Sequence, residues 1–230
     1  MTLPALSAHT VLIDMDGTFT PTIELGDYFF AVLCRIVAQK QDLGSSQSES
    51  LVRSIFDPGS EPITNTHLKT LGIHFDEYWQ AVLDWQEKHF VPYPDAVEMI
   101  QQLHAKGTRM FPATSNSGLA CQAKLARANL ADRCGSPYFA ELFGGSEVSP
   151  MGKTGPKFFL DLLARIDCQA DQVVMVGDDI NADYEYAKRA GINQVVIVRR
   201  DQQEVCKRQD GGAILVKSLA IVPAMLSSAP

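Results

Sequence analysis

Apolar residues along this chain follow two rhythms. Short unbroken runs rich in β-branched residues stand at Thr10–Ile13 (TVLI), Val173–Val176 (VVMV) and Gln194–Val198 (QVVIV). Runs of this length without polar alternation read as strands buried on both faces, as in a parallel sheet. Thr108–Thr114 (TRMFPAT) reads as another core strand, although Pro112 lies inside it and proline removes a ladder donor. AELFGG, within Tyr138–Gly145, and AILV at Ala213–Val216 read as further short strands. Helical patterns separate them. One is capped by Asp95, runs to Lys106 and stops at Gly107; the others cover Ser117–Asn129, Pro156–Ile166, Asp183–Ala190 (closed by Gly191) and Ser218–Leu226. Strands alternating with helices predict an α/β protein with a doubly wound parallel sheet. Ligands of such sheets bind beyond the carboxyl ends of the strands.

The second rhythm fills the stretch from Glu24 to Val91. GDYFFAVLCRIVAQKQ, SLVRSIF, THLKTLGI and FDEYWQAVLDWQEKHF are helical in period, with GSSQSES as a polar break, DPGSEP as a second break and Gly72 as a stop. This predicts a small all-helical domain over 23–91, inserted into an α/β core built from 1–22 and 92–230.

Composition narrows the function. The 230 residues are 46% hydrophobic and 20% charged, with a formal net charge of −7 and a pI near 5.2. An acidic surface excludes a nucleic-acid polymer as the main partner, whereas a small phosphorylated metabolite can still be drawn to local cations or a bound metal. Cys34, Cys121, Cys134, Cys168 and Cys206 are scattered and odd in number, which predicts free thiols in a reducing compartment. No basic stretch followed by a long apolar run opens the chain, and the most apolar segment, Tyr28–Ala38, carries Arg35 and is too short to span a bilayer. The expectation is a cytoplasmic protein without a membrane partner, and the oligomeric state is left open.

Two acidic groups carry candidate chemistry. Asp14 and Asp16 follow the first strand, two residues and ~7 Å apart along an extended chain. A phosphoryl group fits between such carboxylates: one attacks phosphorus, and the other protonates the leaving oxygen and then deprotonates the hydrolytic water. The competing reading is a plain Asp-Gly turn. Asp178, Asp179 and Asp183 follow another buried strand, and three carboxylates so close call for a hard cation such as Mg²⁺, although acids at a helix N-terminus are also stabilised by its dipole. Thr114, Ser115 and Asn116 can hold phosphate oxygens at a strand-to-helix turn, or simply cap the helix. Lys153, in GKTGPKFF, can supply charge to a nucleophile and phosphoryl group, with Lys157 as its rival.

Taken together, Asp14-Met15-Asp16-Gly17-Thr18, Thr114, Gly152-Lys153 and Gly177-Asp178-Asp179 with Asp183 resemble the four motifs of the haloacid dehalogenase (HAD) superfamily, in the family's order and over about two thirds of the chain. The resemblance implies a Rossmann-like core, Asp14 as nucleophile, Asp16 as acid and base, Thr114 on phosphate and Lys153 neutralising charge. It implies Mg²⁺ on the Asp14 carboxylate, the Asp16 backbone carbonyl and Asp178, with Asp179 or Asp183 acting directly or through water. The helical insert resembles the family's C1 cap, which closes over the substrate. Asp16 further distinguishes phosphoryl transfer from carbon–halogen cleavage. The expected activity is an Mg²⁺-dependent phosphatase on a sugar phosphate, nucleotide or similar phosphomonoester, working through an aspartyl-phosphate. A phosphomutase with the same covalent chemistry is the alternative, ahead of a non-catalytic protein on the same fold. Phe19 after DGT and Thr154 after Lys153 depart from the usual family pattern.

Overall fold

The computed structural model describes residues 3–22, 28–55, 63–209 and 212–226. The chain divides into two compact units, Met1–Thr22 with Val91–Pro230, and Ile23–Phe90.

The first unit is built on six strands: β1 (Thr10–Ile13), β2 (Arg109–Pro112), β3 (Val173–Gly177), β4 (Gln194–Val198), β5 (Cys206–Arg208) and β6 (Ile214–Val216). They lie in the order β2-β1-β3-β4-β6-β5, and every pairing is parallel except β5 on β6. β1 and β3 are buried along their whole length. Their side chains alternate between two cores, as a period of two requires. Val11, Ile13, Val174, Val176, Val196 and Val198 face one core, while Leu12, Met175, Val195 and Ile197 face the other.

Helices cover both faces. α5 (Pro94–Ala105), α6 (Gly118–Ala126) and α10 (Val222–Met225) pack Met99, Leu103, Cys121, Leu125 and Met225 into the first core. α8 (Pro156–Arg165) and α9 (Tyr186–Arg189) pack Phe158, Phe159, Leu162 and Ala187 into the second. The sheet is therefore doubly wound.

The second unit holds α1 (Tyr28–Gln41), α2 (Ser45–Arg53), α3 (Asn65–Thr70) and α4 (Phe75–His89), with no strand among its described residues. Its buried side chains include Phe29, Phe30, Val32, Leu33, Val52, Leu68, Tyr78, Trp79 and Val82. The Tyr78 hydroxyl donates to the Phe29 carbonyl at 3.1 Å, so this aromatic residue serves the unit's own core. Tyr28, Trp85 and His89 form a continuous stack, with ring centroids 4.2 and 3.8 Å apart. His67 accepts the Thr64 amide at the start of α3, and His74 caps α4.

Several elements differ from expectation. GSSQSES does not break the helices but opens α2. Gln47 accepts the Gly44 amide, and the Ser48 and Ser50 hydroxyls donate back to the carbonyls of Ser45 and Ser46, so the serines satisfy themselves on the helix. DPGSEP lies outside the described residues. AELFGG is not a strand. Ala140 donates once to Met110 on β2, and the segment then turns into α7 (Gly145–Val148). A Cβ on Gly144 would lie 2.5 Å from the Gly118 amide, an approach that excludes a side-chain-bearing strand. Pro112 is harmless because β2 is an edge strand. The Arg109 and Ala113 amides donate inward to His9 and Ile13, which places Pro112 in the outward register. β5 carries no apolar run, only one buried residue followed by Lys207 and Arg208. The expected 183–190 helix begins earlier, as a π-helical turn at Ile180–Glu185 that leads into α9. Among the described residues no helix is long and apolar enough to cross a membrane.

Asp95 does not cap α5. Tyr93 occupies the cap and Pro94 the first helical position. The Asp95 carboxylate instead accepts the Ser218 hydroxyl (3.2 Å), the Leu219 amide (2.9 Å) and Arg200 (3.1 Å). Asparagine caps a helix as well as aspartate does, but its amide N–H₂ cannot accept from three donors. Asp95→Asn is therefore expected to lower stability by roughly 2 kcal/mol, read from equilibrium urea unfolding. A change of only a few tenths would reinstate a capping role.

Candidate active site

The carboxyl ends of β1 and β3 bring the two acidic groups together. The Asp14 amide donates to the Val176 carbonyl at 2.9 Å, continuing the ladder one residue beyond β1. The chain then turns at Gly17, whose φ is +83°. A Cβ at Gly17 would lie 2.2 Å from Asp178 Oδ2, so the turn needs glycine for both conformation and space. Gly177 serves the second loop through space alone, since a Cβ there would lie 2.1 Å from Asp183 Oδ2.

Lys153 stands between these loops. It comes from the segment before α8, where the Ser115 hydroxyl accepts its amide. Its buried ammonium donates to Asp14 Oδ1 (2.5 Å), Asp183 Oδ1 (2.6 Å) and the Ala113 carbonyl (2.8 Å). An ammonium has three protons, and all three are used. Lys157, by contrast, is exposed and bridges Asp161 one turn along α8. Asp183 is itself held twice more, accepting the Asp178 and Asp179 amides at 2.9 and 3.0 Å.

One ammonium thus faces two buried carboxylates, and the local charge does not balance. Asp14 is raised to about 7, chiefly by burial; Lys153 opposes the rise, while Asp183 and Asp178 add to it. Burial disfavours the Lys153 cation, but Asp14 and Asp183 together outweigh this and hold its proton more firmly than usual. Burial and the nearby Asp183 raise Asp178. Carboxylate oxygens of Asp14, Asp178 and Asp183 all lie within 4.8 Å of one another. An all-oxygen donor set with surplus negative charge fits a hard divalent cation that keeps some of its water.

Asp16 occupies a different environment. Lys124 Nζ lies 2.5 Å from Asp16 Oδ1, and Asn116 Nδ2 donates to Oδ2. Asn116 also donates to Thr114 Oγ1 at 2.7 Å and accepts Lys124 at 3.2 Å. Thr114, Asn116, Lys124 and Asp16 thus form one connected set. Asp179 stands apart from the carboxylate group, its side chain accepting the Asn181 and Ala182 amides at 2.7 Å as the N-cap of the π-helical turn.

Lys124 was not among the residues the sequence pointed to. It is only 3% exposed, on α6 between the buried Ala123 and Leu125. A charged residue embedded in the run GLACQAKLA was the available signal, because lysine is almost never fully buried without a partner.

The family model of haloacid dehalogenase-like hydrolases matches residues 8–191 of this chain. With the four motifs converging on one sheet edge, the chain belongs to that family of hydrolases. Among curated relatives, the ribulose-1,5-bisphosphate 5-phosphatase of Halopiger xanaduensis is 31% identical over 138 residues, covering 60% of this chain and 54% of that one. The chain thus spans about half the length of this relative. The glyceraldehyde 3-phosphate phosphatase of Methanopyrus kandleri is 29% identical over 216 residues, covering 87% of this chain and 88% of that one. Among solved structures, a HAD phosphatase from Thermococcus onnurineus shares the fold with a TM-score of 0.56 at 22% identity, over 97% of each chain.

Gly177→Ala tests this packing directly. Its Cβ must displace the Asp183 carboxylate, which loses its bonds to two amides and Lys153. The variant is expected to lose at least ~2 kcal/mol of stability, read from thermal unfolding against Gly155→Ala, where the backbone is extended and a Cβ meets nothing within 4 Å.

Proposed function

We propose that this protein is a phosphomonoesterase acting on a small phosphorylated metabolite through an aspartyl-phosphate. The observation that carries this reading is the separation of two neighbouring carboxylates into different surroundings: Asp14 beside Lys153 in the acidic cluster, and Asp16 beside Lys124, Asn116 and Thr114. A nucleophile and a proton carrier need such a division of environments.

In this reading an Asp14 oxygen attacks phosphorus as the bond to the leaving oxygen breaks. Asp16 delivers a proton to that oxygen. Water then attacks the phosphorus, Asp16 takes its proton, the bond to Asp14 breaks, and inorganic phosphate leaves. Thr114, Ser115 and Asn116 supply donors for the phosphoryl oxygens, and Lys153 offsets their charge. Asp14, Asp178 and the Asp16 backbone carbonyl would hold Mg²⁺, with Asp183 and Asp179 behind them. When bound, the ion lowers the repulsion between the nucleophile and an anionic substrate. We read the helical unit, 23–91 on the sequence pattern, as a C1-type cap that sets specificity, and the protein as cytoplasmic. The relatives described above are phosphatases of ribulose-1,5-bisphosphate and of glyceraldehyde 3-phosphate, which favours a phosphorylated sugar as substrate.

The test is phosphate release by the full chain from a panel of sugar phosphates, nucleotides and phosphorylated acids, with Mg²⁺ and with a chelator. Turnover of at least one sugar phosphate, lost on chelation, is expected; no turnover on any member would overturn the reading. Asp14→Asn is expected to remove activity, and Asp16→Asn to lower kcat by roughly 10²–10⁴. Lys124→Met is expected to cost on the order of 10² through misplacement of Asp16. Because Asp14 titrates near 7 without a cation, Mg²⁺ must displace a proton below that pH. Calorimetry is therefore expected to show proton release, with affinity falling about tenfold per pH unit below 7. Affinity independent of pH between 5 and 7 would show that no proton leaves Asp14 when the ion binds.

A further inference from the structure

The two arginines that follow β4 lie outside the carboxylate cluster, yet both reach it through the backbone. Arg199 Nη1 donates to the Asp178 carbonyl at 2.6 Å. Arg200 donates to the Gly17 and Thr18 carbonyls, each at 2.9 Å, and to Asp95 Oδ1 at 3.1 Å. Its guanidinium lies over the Tyr93 ring, 3.6 Å from the centroid. The Thr18 hydroxyl in turn donates to Asp178 Oδ1 at 3.1 Å. A single turn after β4 therefore grips both acidic loops, and Thr18 closes the circuit between them.

We propose that Arg199 and Arg200 are positioning residues for the divalent cation, fixing the Gly17–Thr18 turn against the Asp178 turn so that Asp14 and Asp178 present their oxygens to one ion. The inference rests on the metal-dependent reading above.

The two loops hang from different strands, and the charges they carry repel; Lys153 joins Asp14 to Asp183, but its three protons are spent without reaching Asp178, whose turn is left for another tie. Carbonyls are the right handles for such a tie, because gripping them leaves the carboxylates free for the ion. A planar guanidinium is well shaped for this. Arg200 meets three acceptors in a fixed fork, and a lysine in its place would be a flexible point charge. There is an opposing effect. Two positive side chains near a cation site weaken binding by repulsion. The two effects have opposite signs, so experiment can tell them apart. Groups that orient metal ligands are worth 10–100-fold in affinity.

The test measures Mn²⁺ binding to the full chain by electron paramagnetic resonance, without substrate, for wild type, Arg199→Lys, Arg200→Lys, Arg200→Met and Asp178→Asn, with thermal unfolding of each metal-free protein. Both lysine variants keep the charge; Arg200→Lys loses the fork, and Arg199→Lys loses the planar guanidinium that holds the Asp178 carbonyl. Their Mn²⁺ affinity is expected to fall about tenfold or more, with kcat recovered by excess Mg²⁺, a recovery that general destabilisation would not give. Lysine variants within twofold of wild type, or tighter binding by Arg200→Met, would overturn the proposal. If Arg200→Lys does not fold, Arg199→Lys, which disturbs a single bond, decides the matter. Asp178→Asn separates the two readings: undiminished binding there would sink the metal site itself, whereas loss there with intact lysine variants sinks only the clasp.

Discussion

Burying several carboxylates in one place is costly, and much of the core is arranged around meeting that cost. Asp14 and Asp183 are both buried, and between them stands a single ammonium. Removing charges from water costs several kcal/mol per ion even after the protein relaxes. Lys153 offsets part of that, amides of the Asp178 loop offset more, and the remainder stays as surplus negative charge. The surplus is useful, because it makes the cluster a place where a cation is welcome. A perfectly neutral version would be more stable and less able to draw one in.

The parallel sheet makes this concentration of charge possible. β1 and β3 are neighbours running in the same direction, so their carboxyl ends release two acidic loops side by side. Glycines at 17 and 177 let those loops approach until carboxylate and backbone touch. β2 brings the Thr114–Asn116 donors to the same edge, and β4 brings the two arginines. Each strand thus contributes one kind of group, and the fold adds them together.

Much of this was legible in the sequence, for a physical reason. β1, β3 and β4 are buried on both faces, so their sequences are apolar runs, and the acids after β1 and β3 stand out by contrast. What the sequence hid was whatever depended on partners distant along the chain. β5 owes its existence to β6 rather than to its own composition. Asp95 lies in the first turn of a helix, where its charge has an obvious local use, but its partners are Arg200, Ser218 and Leu219, more than a hundred residues away. Lys124 stands out only as a charge within an apolar run, and its partner Asp16 is 108 residues away along the chain. The serine-rich start of α2 is the opposite case: its polarity resembles a break, although those hydroxyls bond within the helix they begin.

The position of β1 also bears on how the chain acquires its fold. Thr10 pairs with Arg109 on one side and Val173 on the other. β1 leaves the ribosome before its partners and therefore waits for strands made roughly a hundred and then more than a hundred and sixty residues later. Meanwhile the helices between, whose contacts are local, can form early, since local contacts carry little loop-closure entropy. During synthesis an unbroken apolar strand with both edges open stays exposed while the helical unit assembles behind it. An unpaired strand of this kind is where intermediates aggregate. The same discontinuity that gathers the acidic loops at one sheet edge thus makes the nascent chain depend on keeping β1 soluble until β2 and β3 arrive.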